Sequence, residues 1–168
     1  MSTKNLINGV DVAELSKKAE ALKKQPELAG FKFHVTNRWY DCGHSRTTVK
    51  SFHGVGEEHN HTKAFELVAD EPPLLLGEDK GANPVEHLLH ALAACLTASM
   101  VYHAAVRGIR IEEVESTLEG DLDVRGFMGL ANDVRRGYQN IRVTFNVKSD
   151  APVEKLRECA LFSPVFDT

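Results

Sequence analysis

Twenty consecutive residues, His87 to Val106, contain no Asp, Glu, Lys or Arg. A stretch this long without charge must leave bulk water, either by crossing a bilayer or by filling the core of a folded domain. His87, His90, Thr97, Ser99 and His103 interrupt it, and alanine is frequent in it, which fits a core helix better than a span. Pro84 suits the first helical turn, where its missing N–H costs nothing, and Gly108 suits the residue just past the end. The spacing therefore predicts a helix from Pro84 to about Arg107. The rest of the 168 residues has to cover it, and that length fits one domain with a real core.

The flanking segments change period. Residues 11 to 25 read as an amphipathic helix, with Val12, Leu15, Ala19 and Leu22 as a thin apolar stripe and Pro26 as its stop. Asp11 followed by Glu14 is a capping-box pattern. Phe31, Phe33, Val35 and Trp39 then alternate with polar residues, as in a half-buried strand. Asp41 to His44 reads as a turn, and Arg46 to Phe52 as a second strand. Residues 54 to 62 read as a polar loop, and Ala64 to Ala69 as a short third strand broken by Glu71-Pro72-Pro73. After the long helix come two long strands, 109 to 122 and 138 to 148, and a short helix, 152 to 161. The connection between those strands carries Phe127, Met128 and Leu130, apolar residues that suggest a loop lying over a pocket or meeting a partner. This order predicts an α+β fold, an antiparallel sheet wrapped on a central apolar helix. The expected organisation is a helical extension over 1–29 and a domain over 30–168.

Charge and motifs exclude several functions. The chain has 20 Lys+Arg against 24 Asp+Glu, a net charge of −4. It lacks the basic footprint of a nucleic-acid binder and the polybasic patch of a membrane-surface protein. Met1 to Val10 has no basic start leading into a long apolar run, so a cytoplasmic, reducing setting is expected. The loop Gly77-Glu78-Asp79-Lys80-Gly81 lacks the spacing of a phosphate-binding loop and is acidic where phosphate would sit. There is no G-x-S-x-G elbow for a serine nucleophile. His59 and His61, with Cys42 and His44, are weak metal candidates without a supporting CxxC or HExxH, so no metal and no cofactor are expected.

Three cysteines remain, an odd number that argues against a disulfide framework. Cys95 falls in the middle of the long helix. Leu88, Ala91, Leu92, Ser99 and Tyr102 are spaced to share its side. Two readings compete for it, a buried small side chain and a reactive thiol. Cys42 sits in a turn, and Cys159 in the last helix.

The run Gly81-Ala82-Asn83-Pro84-Val85-Glu86-His87-Leu88-Leu89-His90-Ala91-Leu92-Ala93-Ala94-Cys95 resembles the signature helix of the OsmC/Ohr family. Ser163-Pro164-Val165-Phe166-Asp167 resembles the segment with that family's second functional position. The resemblance extends from about Phe31 to the end. It implies an intertwined homodimer with sheets around paired central helices and active sites at the subunit interface. It also implies reduction of organic hydroperoxides by a cysteine at Cys95, activated by an arginine from an early strand and a glutamate just after the proline. Arg46 is the best match for that arginine and Arg38 the second. Members usually carry a further strand beyond the position of Thr168, so the resemblance implies an open sheet edge or one covered by the N-terminal helix.

Two residues depart from the pattern. Ser163 stands where the family has its resolving cysteine, and Val85 where it has the glutamate. Glu86 is nine residues from Cys95, about 180° around a regular helix, and does not simply substitute. Cys159, one turn before Ser163, is a possible resolving thiol. The expected function is a one-cysteine peroxidase served by an external thiol reductant. Leu88, Leu92, Ser99, Tyr102 and Glu86 are expected around a pocket for a small apolar hydroperoxide. The alternative is a non-catalytic protein of the same fold that binds a small apolar ligand.

Overall fold

The structure is a computed structural model that describes residues 6–168. In chain order the elements are β1 (Leu6–Ile7), β2 (Val10–Asp11), α1 (Val12–Lys24), β3 (Lys32–Phe33), β4 (Thr36–Asp41), β5 (His44–Gly54), β6 (Glu57–Ala69), α2 (Pro84–Val106), β7 (Ile111–Asp121), α3 (Val124–Phe127), β8 (Asn140–Ser149) and α4 (Val153–Ala160). Short 3₁₀ turns occupy Pro26–Ala29 and Pro73–Leu75. This is the expected α+β mixture of antiparallel sheets and one long apolar helix. The chain divides into two compact units, one joining the N-terminal stretch through Val12 to Leu89–Thr168, the other Ala13–Leu88.

In the first unit, Leu92, Leu96, Met100 and Ala104 form a buried stripe along α2. They cluster with Leu156, Cys159 and Ala160 of α4. The antiparallel pair β7–β8 packs Val114, Leu118, Val143, Phe145 and Val147 against the same cluster. These strand positions alternate because successive side chains of a strand point to opposite faces. By length and composition alone α2 could cross a membrane, but here its apolar stripe forms the core of a folded unit. Its end is built as the sequence predicts. Gly108 has φ +72°, its N–H donates to the Ala105 carbonyl at 3.0 Å, and the Ile109 N–H donates to the Ala104 carbonyl at 2.9 Å. That is a Schellman ending. The β1–β2 turn uses Asn8 and Gly9, both at positive φ. The Asn8 side chain donates to the Ile109 carbonyl at 2.9 Å and accepts the Ile111 N–H at 2.8 Å, which ties the hairpin to the start of β7.

The second unit holds α1 and a four-stranded antiparallel sheet centred on β5, which pairs with β3 and β4 along one edge and β6 along the other. α1 agrees with its expected span and buries no residue completely. Two readings of this unit need correction. The single strand expected over residues 31 to 39 is two short strands, and the partner positions on β5 slip by one residue between Phe33 and Thr36. Its apolar face is not half-buried, since Phe33 and Trp39 are 75% and 67% exposed. The polar loop expected over 54 to 62 does not exist. Val55 and Gly56, both at positive φ, make a tight turn, and β6 is one 13-residue strand whose pairing with β5 shifts register between Phe65 and Asn60. Aromatic stacking stands in for the missing aliphatic alternation: His59 and His61 lie against Phe52, with ring centroids 5.2 and 5.5 Å apart, and His61 meets Phe65 at 5.2 Å.

The core arrangement yields a stability contrast. Met100→Ala, at a site 2% exposed, is expected to cost about 2–5 kcal/mol. Met128→Ala, at a site 52% exposed, is expected to cost no more than about 0.5 kcal/mol. Urea unfolding of the three proteins, compared at equal m-values, checks both.

Candidate functional site

Helix α2 begins with a reciprocal cap. The Asn83 side-chain oxygen accepts the Val85 N–H at 2.9 Å, and the Glu86 carboxylate accepts the Asn83 N–H at 2.8 Å. Both acceptors satisfy amides that the helix itself leaves unpaired. Glu86 is therefore committed to the helix start, two turns and more from Cys95.

The loop leading into this cap is organised by Asp70, a fully buried carboxylate. It accepts the backbone N–H groups of Glu71 at 2.8 Å, Lys80 at 3.1 Å and Glu78 at 3.2 Å. Burial pushes the Asp70 carboxyl up, but the donations from Lys80, Glu71 and Glu78, helped by the charge of His44, outweigh it and hold the group below its ordinary value. Glu71 closes the loop by accepting from the Asn83 side-chain amide, and the Cys42 thiol donates to the Leu76 carbonyl at 3.2 Å. Gly77 has no alternative here, because a Cβ would strike the Glu71 carbonyl.

The three cysteines are free and differ in setting. Cys42 is exposed, at φ +41°, and its thiol is spent on Leu76. Cys159 is fully buried in the core cluster and accepts an N–H of Arg107 at 3.6 Å. The Arg107 guanidinium lies over Phe162, 5.3 Å from the ring centre, and the His103 ring stacks on Phe162 at 4.0 Å. Burial and the neighbouring Arg107 both push the His103 imidazole below its ordinary value. Cys95 is half-buried and flanks the Leu92–Leu96–Met100 stripe, and its thiol makes no hydrogen bond among the described residues. Leu92 is buried in that stripe, Ser99 is half-buried, and Leu88 and Tyr102 are about half exposed.

Ser163 is buried, and its hydroxyl accepts the Phe166 N–H at 3.2 Å, so it shapes the final turn of the chain. Arg46 and Arg38 prove to be direct cross-strand partners on β5 and β4. Both guanidinium groups lie by the Tyr40 ring, at 5.8 and 5.7 Å from its centre. Arg46 reaches Glu66 at 3.4 Å, while its Nε is buried without a partner. The two candidates for one arginine role thus share one place in the fold, in the unit that does not contain Cys95.

The loop with Phe127, Met128 and Leu130 contains the four-residue α3, capped by Asp123. Paired side chain to side chain with Arg125, Asp123 is drawn down to about 2. Its three apolar residues are exposed. The first unit also contains a cavity of about 780 Å³, lined from α2, β8 and α4. Leu88, Leu92, Ser99, Tyr102 and Glu86 do not line it. No group of three metal-ligating side chains comes together among the described residues. Asp70, Asn83, Arg107 and Phe162 were not singled out in the sequence. Asn83 alone carried a visible signal there, an N-cap residue with Glu three positions on.

A family model described as OsmC-like protein matches residues 77–163, just over half of the 168-residue chain. The chain belongs to the OsmC-like family. Among solved structures it is similar to an OsmC-like protein from Mycoplasma pneumoniae, at 18% identity and TM-score 0.60, over 81% of this chain and 85% of that one. It is also similar to an organic hydroperoxide resistance protein OsmC from Legionella pneumophila, described as a predicted redox protein, at 19% identity and TM-score 0.53, over 81% and 87%. A third is an OsmC-like protein of unknown function from Vibrio cholerae, at 11% identity and TM-score 0.57, over 81% and 92%. No curated protein matches the chain.

The Asp70 cage makes a pH-dependent contribution to stability. The folded-state value of its carboxyl lies below the ordinary 3.8, so the contribution is present above that value and fades as pH falls through the folded one. Asp70→Asn is expected to lower the melting temperature at pH 7, with the gap to wild type narrowing below pH 3.8. Thermal unfolding across pH 2–7 checks the sign.

Proposed function

We propose that the chain is an OsmC-like thiol peroxidase that reduces organic hydroperoxides through Cys95. One observation carries the reading: within the segment matched by the family model, Cys95 is a partly accessible thiol with no hydrogen-bond partner among the described residues. The other two thiols are engaged, Cys42 with Leu76 and Cys159 with Arg107. The relative from Legionella pneumophila, named for organic hydroperoxide resistance, supports the same reading.

In this mechanism the Cys95 thiolate attacks one oxygen of the hydroperoxide. An S–O bond forms, the O–O bond breaks, and the departing alkoxide takes a proton to become the alcohol. The sulfur is oxidised by two electrons to sulfenic acid. An external thiol condenses with it, releasing water and leaving a mixed disulfide. A second thiol then frees Cys95 and leaves as the oxidised disulfide. The family resemblance assigns the stabilising positive charge for this thiolate to Arg46, with Arg38 as the second match. Ser163 cannot form a disulfide, which favours one-cysteine turnover over a resolving role for Cys159. Leu88 and Tyr102 give Cys95 apolar neighbours along α2 suited to small apolar hydroperoxides.

The remaining expectations enter as parts of the same proposal. Residues 30–168 act as the OsmC-like domain, the working form is a homodimer, and the setting is cytoplasmic. The exposed Phe33, Trp39 and Leu88 support dimerisation, since large apolar side chains left in water favour burial against a partner. A second reading, a non-catalytic ligand-binding protein of this fold, is favoured by Val85 and by the commitment of Glu86 to the helix cap.

A thiol-coupled assay with cumene hydroperoxide separates the two readings. Cys95→Ser is expected to abolish turnover, and Arg46→Ala to slow it at least tenfold. Turnover in Cys95→Ser equal to wild type would sink the mechanism. Light scattering is expected to give a mass about twice 18.6 kDa.

A further inference from the structure

The 780 Å³ cavity in the first unit is of a size typical of small-molecule sites, roughly 300–1,000 Å³. Leu96 and Met100 of α2, Phe145 and Val147 of β8, and Leu156 and Ala160 of α4 are among its lining residues. These side chains offer hydrocarbon and little else. Arg157 is the only ionised residue among those that line it. On the same helix Lys155 pairs with Glu158 at 3.3 Å, whereas Arg157 makes no ion pair or side-chain hydrogen bond among the described residues. Arg157 is exposed, so its guanidinium is the one cation that borders this apolar lining and is open to an incoming anion. Its planar fork of donors matches the two oxygens of a carboxylate.

We infer that this cavity binds a free amphiphilic carboxylic acid, with the hydrocarbon chain against Met100, Phe145 and Leu156 and the carboxylate on Arg157. The apolar chain supplies affinity through the area it removes from water. Arg157 supplies orientation and the choice of an anionic head. The site uses none of the residues proposed for peroxide chemistry, so it stands or falls apart from the role of Cys95.

Calorimetric titration tests it with three twelve-carbon probes below their micelle concentrations: dodecanoate, dodecylammonium and dodecanol. Dodecanoate is expected to bind saturably, one per chain, and at least tenfold more tightly than dodecylammonium. R157Q is expected to erase that preference while leaving the melting temperature unchanged. V153W, placed at a cavity-lining site that is 73% exposed, is expected to weaken dodecanoate and dodecanol alike without touching the core. Absence of saturable binding, equal affinity for the anionic and cationic probes, or an unaltered preference in R157Q would overturn the inference. So would light scattering in which dodecanoate binds only as a dimer dissociates, because a second copy would then occupy the cavity.

Discussion

Burial of one side of α2 governs the first unit. Leu92, Leu96, Met100 and Ala104 can leave water only if α4 and the β7–β8 pair are laid against them. That requirement sets the alternation along both strands and puts Leu156, Cys159 and Ala160 on the inner side of α4. It also places the thiols. Cys159 shares the buried cluster, whereas Cys95 falls just off the stripe and keeps part of its surface open. A shift of one residue in the helix sequence would exchange a packed side chain for an accessible thiol, because neighbours in sequence are about 100° apart on a helix.

Much of this was legible from residue patterns. The ends of α2 were readable because Pro84 and Gly108 act through local backbone geometry. The β7–β8 pair was readable because its inner face is aliphatic with a period of two. The β5–β6 region was not. Its strand is held by histidine and phenylalanine rings, and a segment such as Glu57-Glu58-His59-Asn60-His61 has the composition of a loop until the ring stacking is seen. The Val55-Gly56 turn was also hidden, since valine is a poor residue for positive φ.

The candidate site was legible in its chemistry and less so in its wiring. Cys95 and Arg46 could be named from resemblance, and Ser163 and Val85 recognised as departures. That Arg38 faces Arg46 across two strands depends on register, which a one-residue slip would alter. The commitment of Glu86 to the helix cap likewise needs coordinates, since a glutamate after an Asn-Pro pair is equally compatible with a free carboxylate. Asp70 gave no signal at all, because its partners are amides, and amides are present at every position except proline.

The Asp70 cage has a consequence for how this loop can drift over generations. The carboxylate grips the main chain at residues 71, 78 and 80, and asks nothing of the side chains there. Positions 78 and 80 are therefore free to exchange one residue for another, proline excepted, while the path of the loop is inherited unchanged. Two descendants of this chain could share the loop's shape while differing at 78 and 80, provided both kept Asp70, the Glu71 carboxylate and the glycine at 77.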